Sequence, residues 1–239
     1  MTIDVALLPA DLVSVDLANR AVVVLDVLRA STTMTAALAA GVKEIRVFGD
    51  VESARHAAQG SGSEGLLCGE VRCLPPPGFE LGNSARAFGQ VHAGRIVFMG
   101  TTNGTRAIVA AAKAKTILIG AVVNAAAVAK LLQKIRLDVT LLCAGTNGRV
   151  AIEDILGAGA VIAELQSRQA IDLASDVARM ATLLFEAAKD DLRAVLRESQ
   201  GGRNVIAAGL EEDVDFAARL NAIALVGVAR AGVVVRGSD

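Results

Sequence analysis

The chain has 239 residues, enough to bury a large core, and 53% of them are hydrophobic, with neither Trp nor Tyr. A formal net charge of −1 lacks the basic excess that a polyanion binder needs, and the missing rings remove most of the surface on which bases stack. Nucleic acid is excluded as a partner, and an anionic ligand must be small and held by a few placed cations.

Asp4, Asp11 and Asp16 precede the first arginine, Arg20, unlike the basic start of a signal peptide. Three cysteines, an odd number, suit free thiols in a reducing compartment, so a cytoplasmic protein is expected. Residues 22–25 read as a strand buried on both faces. They deliver Asp26, Arg29, Ser31, Thr32 and Thr33 to the start of an alanine-rich helix. Residues 42–48 read as a strand and 50–59 as a helix capped by Asp50. Residues 59–92, rich in Gly, Ser and Pro, form a long irregular excursion holding Gly69, Glu70, Arg72 and the run from Gly78 through Asn83 to Ser84. Leu66, Leu67, Phe79 and Leu81 within it demand burial.

The next strand, 96–100, ends in Thr101, Thr102, Asn103, Gly104 and Thr105, followed by a helix. Ligands gather at that edge of an α/β sheet, and free N–H groups at a helix start suit an anion. Residues 116–132 are the most apolar long segment; Gly120 and Asn124 interrupt it, and a strand followed by a helix fits better than a membrane span. No membrane partner is expected. A shift of 73 positions carries 22–25 onto 95–98, Thr32 onto Thr105, Ile45 onto Leu118 and 51–54 onto 124–127. The same strand, loop, helix, strand, helix unit therefore occurs twice. A weaker third copy joins strand 139–143 to the loop Ala144 to Gly148. The expected fold is α/β, a layered α/β/α arrangement on a predominantly parallel or mixed sheet with an internal repeat of strand-loop-helix units. It forms one domain over 1–239, or two repeat-related lobes of about 1–92 and 93–239 with the site between them.

Residues 152–165 read as a helix opening with Glu153 and Asp154, and 172–199 as a long amphipathic helical stretch. A short helix to Leu210 follows. Glu211, Glu212 and Asp213 then read as a solvated helix start without chemistry, and 223–228 as a closing strand. Hydroxyls and glycines at three strand ends, with Arg29 beside one, describe an anion pocket. Asp26, Glu70, Glu153 and Asp154 are candidate ligands for Mg²⁺, which bridges carboxylates to phosphate without fixed spacing. Two rivals remain open. Cys143 to Arg149 spells the Cys-x5-Arg pattern of a thiolate phosphatase. A sensor that binds a phosphorylated or sulfonated metabolite without turnover is the other. No P-loop occurs, and Cys68, Cys73, His56 and His92 lack zinc spacing.

Taken together, Val22 to Thr33, Gly69-Glu70-Val71, Gly78 to Ser84, Thr101 to Thr105, Cys143 to Gly148, Glu153-Asp154 and Ser199 to Gly202 resemble the 2-phosphosulfolactate phosphatase (ComB) family. The resemblance implies a Mg²⁺-dependent phosphatase that converts 2-phosphosulfolactate to sulfolactate and phosphate, a step toward coenzyme M. It further implies that Asp26, Arg29, Thr32, Glu70, Asn83, Thr102 to Thr105, Glu153 and Asp154 belong to the site. By their chemistry Asp26, Arg29 and Glu70 are the catalytic candidates, the base being one of the carboxylates Asp26, Glu70, Glu153 and Asp154, with Glu70 the first choice. Thr32, Asn83 and Thr101 to Thr105 would bind the small anionic phosphoester, and Asp26, Glu70, Glu153 and Asp154 the metal. Val71 stands where the family has arginine and Glu80 where it has aspartate, so Arg72 or Arg86 must supply the missing anion contact. A homodimer is expected from the prevalence of two-fold assemblies.

Overall fold

A computed structural model describes residues 1–237. One 10-stranded sheet runs through it, built from β1 (Thr2–Ala6), β2 (Arg20–Leu25), β3 (Glu44–Phe48), β4 (Gly65–Gly69), β5 (Ile96–Gly100), β6 (Thr116–Gly120), β7 (Asp138–Cys143), β8 (Asp172–Leu173), β9 (Gly227–Arg230) and β10 (Val233–Arg236). Their order across the sheet is β4-β5-β3-β10-β9-β6-β2-β7-β1-β8. The helices are α1 (Ala30–Ala39), α2 (Val51–Ala58), α3 (Gly104–Ala110), α4 (Ala125–Ile135), α5 (Ile152–Gln166), α6 (Asp176–Ala188), α7 (Leu192–Glu198), α8 (Gln200–Ala207) and α9 (Glu211–Ala217). Among the described residues no helix is long and apolar enough to cross a membrane.

The repeat appears as β2-α1-β3-α2-β4 followed by β5-α3-β6-α4-β7, and the two units exchange strands. The first strand of each pairs in parallel with the second strand of the other, Val22 opposite Ile117 and Ile45 opposite Val97. The third strands follow the same rule, β4 on β5 and β7 on β2. Two parallel trios result, β4-β5-β3 and β7-β2-β6. Between them the β9–β10 hairpin pairs antiparallel with both β6 and β3, so the trios run in opposite directions.

β-branched and aliphatic residues fill both sides of the strands, as sheets covered on both faces require. Val22 and Val24 of one trio, and Val97, Met99 and Ile45 of the other, share a core with Met34 and Leu38 of α1 and Ile108 of α3. Val23, Leu25, Leu118 and Leu141 face the opposite way, against α4, α5 and α6. Because both trios feed the first core, α1 and α3 lie side by side. A Cβ on Gly104 would stand 2.6 Å from the Ala30 Cβ and 2.6 Å from Asp26 Oδ2. Only glycine lets the two helix starts approach so closely, which brings the loops after β2 and β5 together.

Several boundaries differ from the sequence reading. The excursion is not irregular throughout: β4 forms the sheet edge and satisfies the demand of Leu66 for burial. The stretch 172–199 is broken, because Ser175 and Asp191 each cap a helix start, accepting from the N–H groups of Ala178 and Ala194. The expected strand at 223–228 begins only at Gly227 and returns as β10. Asp50 caps α2 as expected, accepting from the Ser53 N–H at 2.7 Å.

Candidate active site

The loops leaving β2, β4, β5 and β7 converge on one cleft of about 540 Å³. Asp26, Arg29, Glu70, Asn83, Thr102 and Asn103 line it. Thr32, Thr101, Gly104, Thr105, Glu153 and Asp154 are buried and do not line it. Cys73, Asn147, Gly201 and Asn204 are among its other lining residues, and none of them is a named site candidate from sequence. The signals were the second Thr-Asn-Gly and the Ser-Gln-Gly-Gly run.

Three acids tie the loops to one another. Glu70 Oε1 accepts from the Thr102 N–H at 3.0 Å and its hydroxyl at 2.7 Å, while Oε2 accepts from the Cys73 N–H at 2.9 Å. Asp154 accepts from the Val27 N–H at 2.8 Å and the Gly145 N–H at 2.9 Å, joining the loops after β2 and β7. Asp26 accepts from the Ala30 N–H at 3.2 Å, and the Gly104 N–H also favours its charged form. The backbone N–H groups expected to hold a ligand anion at Thr102 and Gly104 thus serve the protein's own carboxylates. Thr32 and Thr105 donate their hydroxyls to the carbonyls of Val27 and Thr101, which shapes the loops from behind.

Electrostatics make this a cation-seeking place. Burial, reinforced by the neighbouring charges of Glu70 and Glu153, pushes the Asp26 carboxyl up to about 7 against the opposing pull of Ala30 and Gly104. Burial raises Glu153, and burial with the charges of Asp26 and Glu153 raises Asp154 well above the usual carboxylate range. Among the described residues, both Glu153 oxygens and Asn83 Oδ1 are buried without a hydrogen-bond partner. Gly201 is what admits Glu153, since a Cβ there would lie 1.9 Å from Oε1.

Two expectations are corrected. Asp213 is not solvated: it is buried and pairs with Arg29 Nη1 at 2.7 Å, the two side chains 3% and 4% exposed. Cys143 cannot serve as a thiolate nucleophile, because it is fully buried at the end of β7 and the Asp154, Asp11 and Glu153 charges add to burial in holding its thiol protonated. Arg149, its expected partner, is exposed.

The donor set suits a hard dication. Asp26 and Glu70 in the wall and Glu153, Asp154 and Asp213 behind it outnumber the guanidinium groups of Arg29 and Arg72 in the wall and of Arg203, whose charge reaches Glu153. Among the described residues no three His, Cys, Asp or Glu side chains already stand together as a metal shell. An ion held by one or two carboxylates, waters and a phosphate oxygen needs no such shell.

Comparison with known proteins fits this arrangement. A family model described as 2-phosphosulpholactate phosphatase matches residues 7–232. A probable 2-phosphosulfolactate phosphatase of Carboxydothermus hydrogenoformans is 37% identical over 227 residues, covering 95% of this chain and 92% of the relative. Proteins of the same name from Symbiobacterium thermophilum and Parasynechococcus marenigrum are 34% identical over 222 residues and 38% over 205, covering 92% and 84% of this chain and 95% and 84% of themselves. Every loop that shapes the cleft falls inside the matched span, and by that breadth of agreement the chain belongs to the 2-phosphosulpholactate phosphatase family.

Proposed function

We propose that this chain is a Mg²⁺-dependent phosphatase of a small polyanionic phospho-hydroxy acid, with 2-phosphosulfolactate the substrate and sulfolactate and phosphate the products. The observation that carries the proposal is the gathering of five carboxyl groups, Asp26 and Glu70 in the wall and Glu153, Asp154 and Asp213 buried behind it, around three guanidinium groups, Arg29, Arg72 and Arg203. A substrate bearing phosphate, sulfonate and carboxylate would be repelled from such a place unless a cation entered with it.

Asp26 and Glu70 line the cleft and would hold the dication, with Glu153 and Asp154 at their back. When bound, Mg²⁺ neutralises charge on the phosphoryl oxygens and polarises the attacking water. Phosphoryl transfer has a loose transition state in which positioning and charge neutralisation dominate. Glu70 supplies positioning: its three accepted bonds fix the turns at Thr102 and Cys73, which makes it a poor choice as base. Among the described residues the Arg29 Nε has no hydrogen-bond partner, and Arg29 would be the cation that meets a phosphoryl oxygen. Arg72, exposed on the rim, takes the place of the arginine missing at Val71 and meets the sulfonate or carboxylate. A cytoplasmic homodimer completes the reading, on free thiols at Cys68, Cys73 and Cys143 and on the frequency of two-fold assemblies.

Phosphate release from 2-phosphosulfolactate, measured with added Mg²⁺ and again in EDTA, tests the proposal. Turnover abolished by EDTA and retained in Cys143→Ser is expected. Ligand-induced stabilisation without phosphate release would make the protein a sensor instead.

A further inference from the structure

Arg29 does not stand freely in the cleft. Its Nη1 donates to Asp213 Oδ2 at 2.7 Å and its Nη2 to the Cys73 carbonyl at 2.6 Å. Asp213 in turn accepts the Ser84 hydroxyl on Oδ1 at 2.6 Å. All four groups come from different segments: the start of α1, the turn after β4, the loop before residue 85, and α9.

We infer that Asp213, steadied by Ser84, is a positioning residue that aims Arg29 and tempers its charge. This rests on the phosphatase reading. A carboxylate on one terminal guanidinium nitrogen and a carbonyl on the other hold the group in one orientation, with no partner at Nε among the described residues. An arginine fixed in this way costs no reorganisation when charge develops on a phosphoryl group. Half-neutralised by Asp213, it also binds a free phosphate product less tightly than an unpaired arginine would. Preference for the transition state then comes from the fixed orientation, while the tempered charge eases product release. A buried ion pair adds little net stability against its desolvation cost, which is consistent with an orienting role.

The experiment is a cycle of Arg29→Gln, Asp213→Asn and the double variant. Each is assayed with 2-phosphosulfolactate and Mg²⁺ and titrated with inorganic phosphate by calorimetry. Asp213→Asn should lower kcat by about 10- to 100-fold, the range for residues that orient a functional group. KM should not rise, and phosphate should bind more tightly. In the Arg29→Gln background, Asp213→Asn should change kcat no further. Fully additive losses, an unchanged kcat, or a lower kcat with phosphate affinity unmoved would overturn the inference. Should Asp213→Asn not fold, Ser84→Ala carries the test, since it keeps the ion pair: a lower kcat at unchanged melting temperature supports positioning, and wild-type kcat refutes it. A wild-type protein inactive on the ester would sink the phosphatase reading and this inference with it, whereas an active wild type with unchanged kcat in Asp213→Asn sinks this inference alone.

Discussion

At Asp26 the burial that builds the cleft works against the fold. Its carboxyl is raised from 3.8 to about 7, first by burial and then by Glu70 and Glu153. Below 3.8 the folded and unfolded chains both carry the proton and the site is neutral in its effect. Between 3.8 and about 7 the unfolded chain gives it up first, so stability falls as pH rises through that window. Asp26→Asn should therefore melt higher than wild type at about pH 8 without metal, match it near about pH 4, and lose turnover. Mg²⁺ should raise the wild-type melting temperature at the higher pH and leave Asp26→Asn unmoved, and thermal melts with and without Mg²⁺ check both statements. Single residues were legible in the sequence where chemistry sat beside a strand end, as with Asp26, Arg29 and Glu70. Asp213 was not, because an acid at a helix start usually meets water, and its partner lies 184 positions away in the chain.

The elements tell the same story one level up. The two units could be recognised because each places a continuous apolar strand before a hydroxyl-rich loop and an alanine-rich helix. Their strand exchange could not be recognised, since Val22 pairs as well with one aliphatic strand as with another and no local residue states which. The close approach of α1 and α3 follows from that exchange, and Gly104 is its narrowest point. Gly104→Ala places a methyl 2.6 Å from both Ala30 Cβ and Asp26 Oδ2, where backbone and core must shift. A loss of about 1–3 kcal/mol in denaturant melts is expected, with a larger fractional loss of turnover because the Asp26 loop moves with α1. Wild-type activity in Gly104→Ala would show that the two helix starts need not touch. Edge strand β4 escaped notice for a different reason: Gly65 and Gly69 bracket it, and a short run between glycines reads as loop.

At the scale of the whole molecule, the parts of the sheet are held together by elements far apart in sequence. Cutting the chain between residues 92 and 93 separates β3 and β4 from β5, and β2 from β6 and β7, so every parallel pair between the trios' units is severed. Neither piece alone should give a cooperative melt, whereas the two expressed together should recover phosphate release. Independent folding of either piece would argue for two autonomous lobes in place of one interleaved domain.

The hairpin of β9 and β10 joins the trios, yet it follows all the other strands along the chain. On the ribosome, β3 and β6 are finished long before their neighbours exist, and each waits with one row of backbone donors and acceptors bare. Until residues 227–236 emerge, a nascent chain carries two sticky borders that any other copy could capture. For this architecture the hazard of misassembly persists from the completion of β3 and β6 until that hairpin is in place.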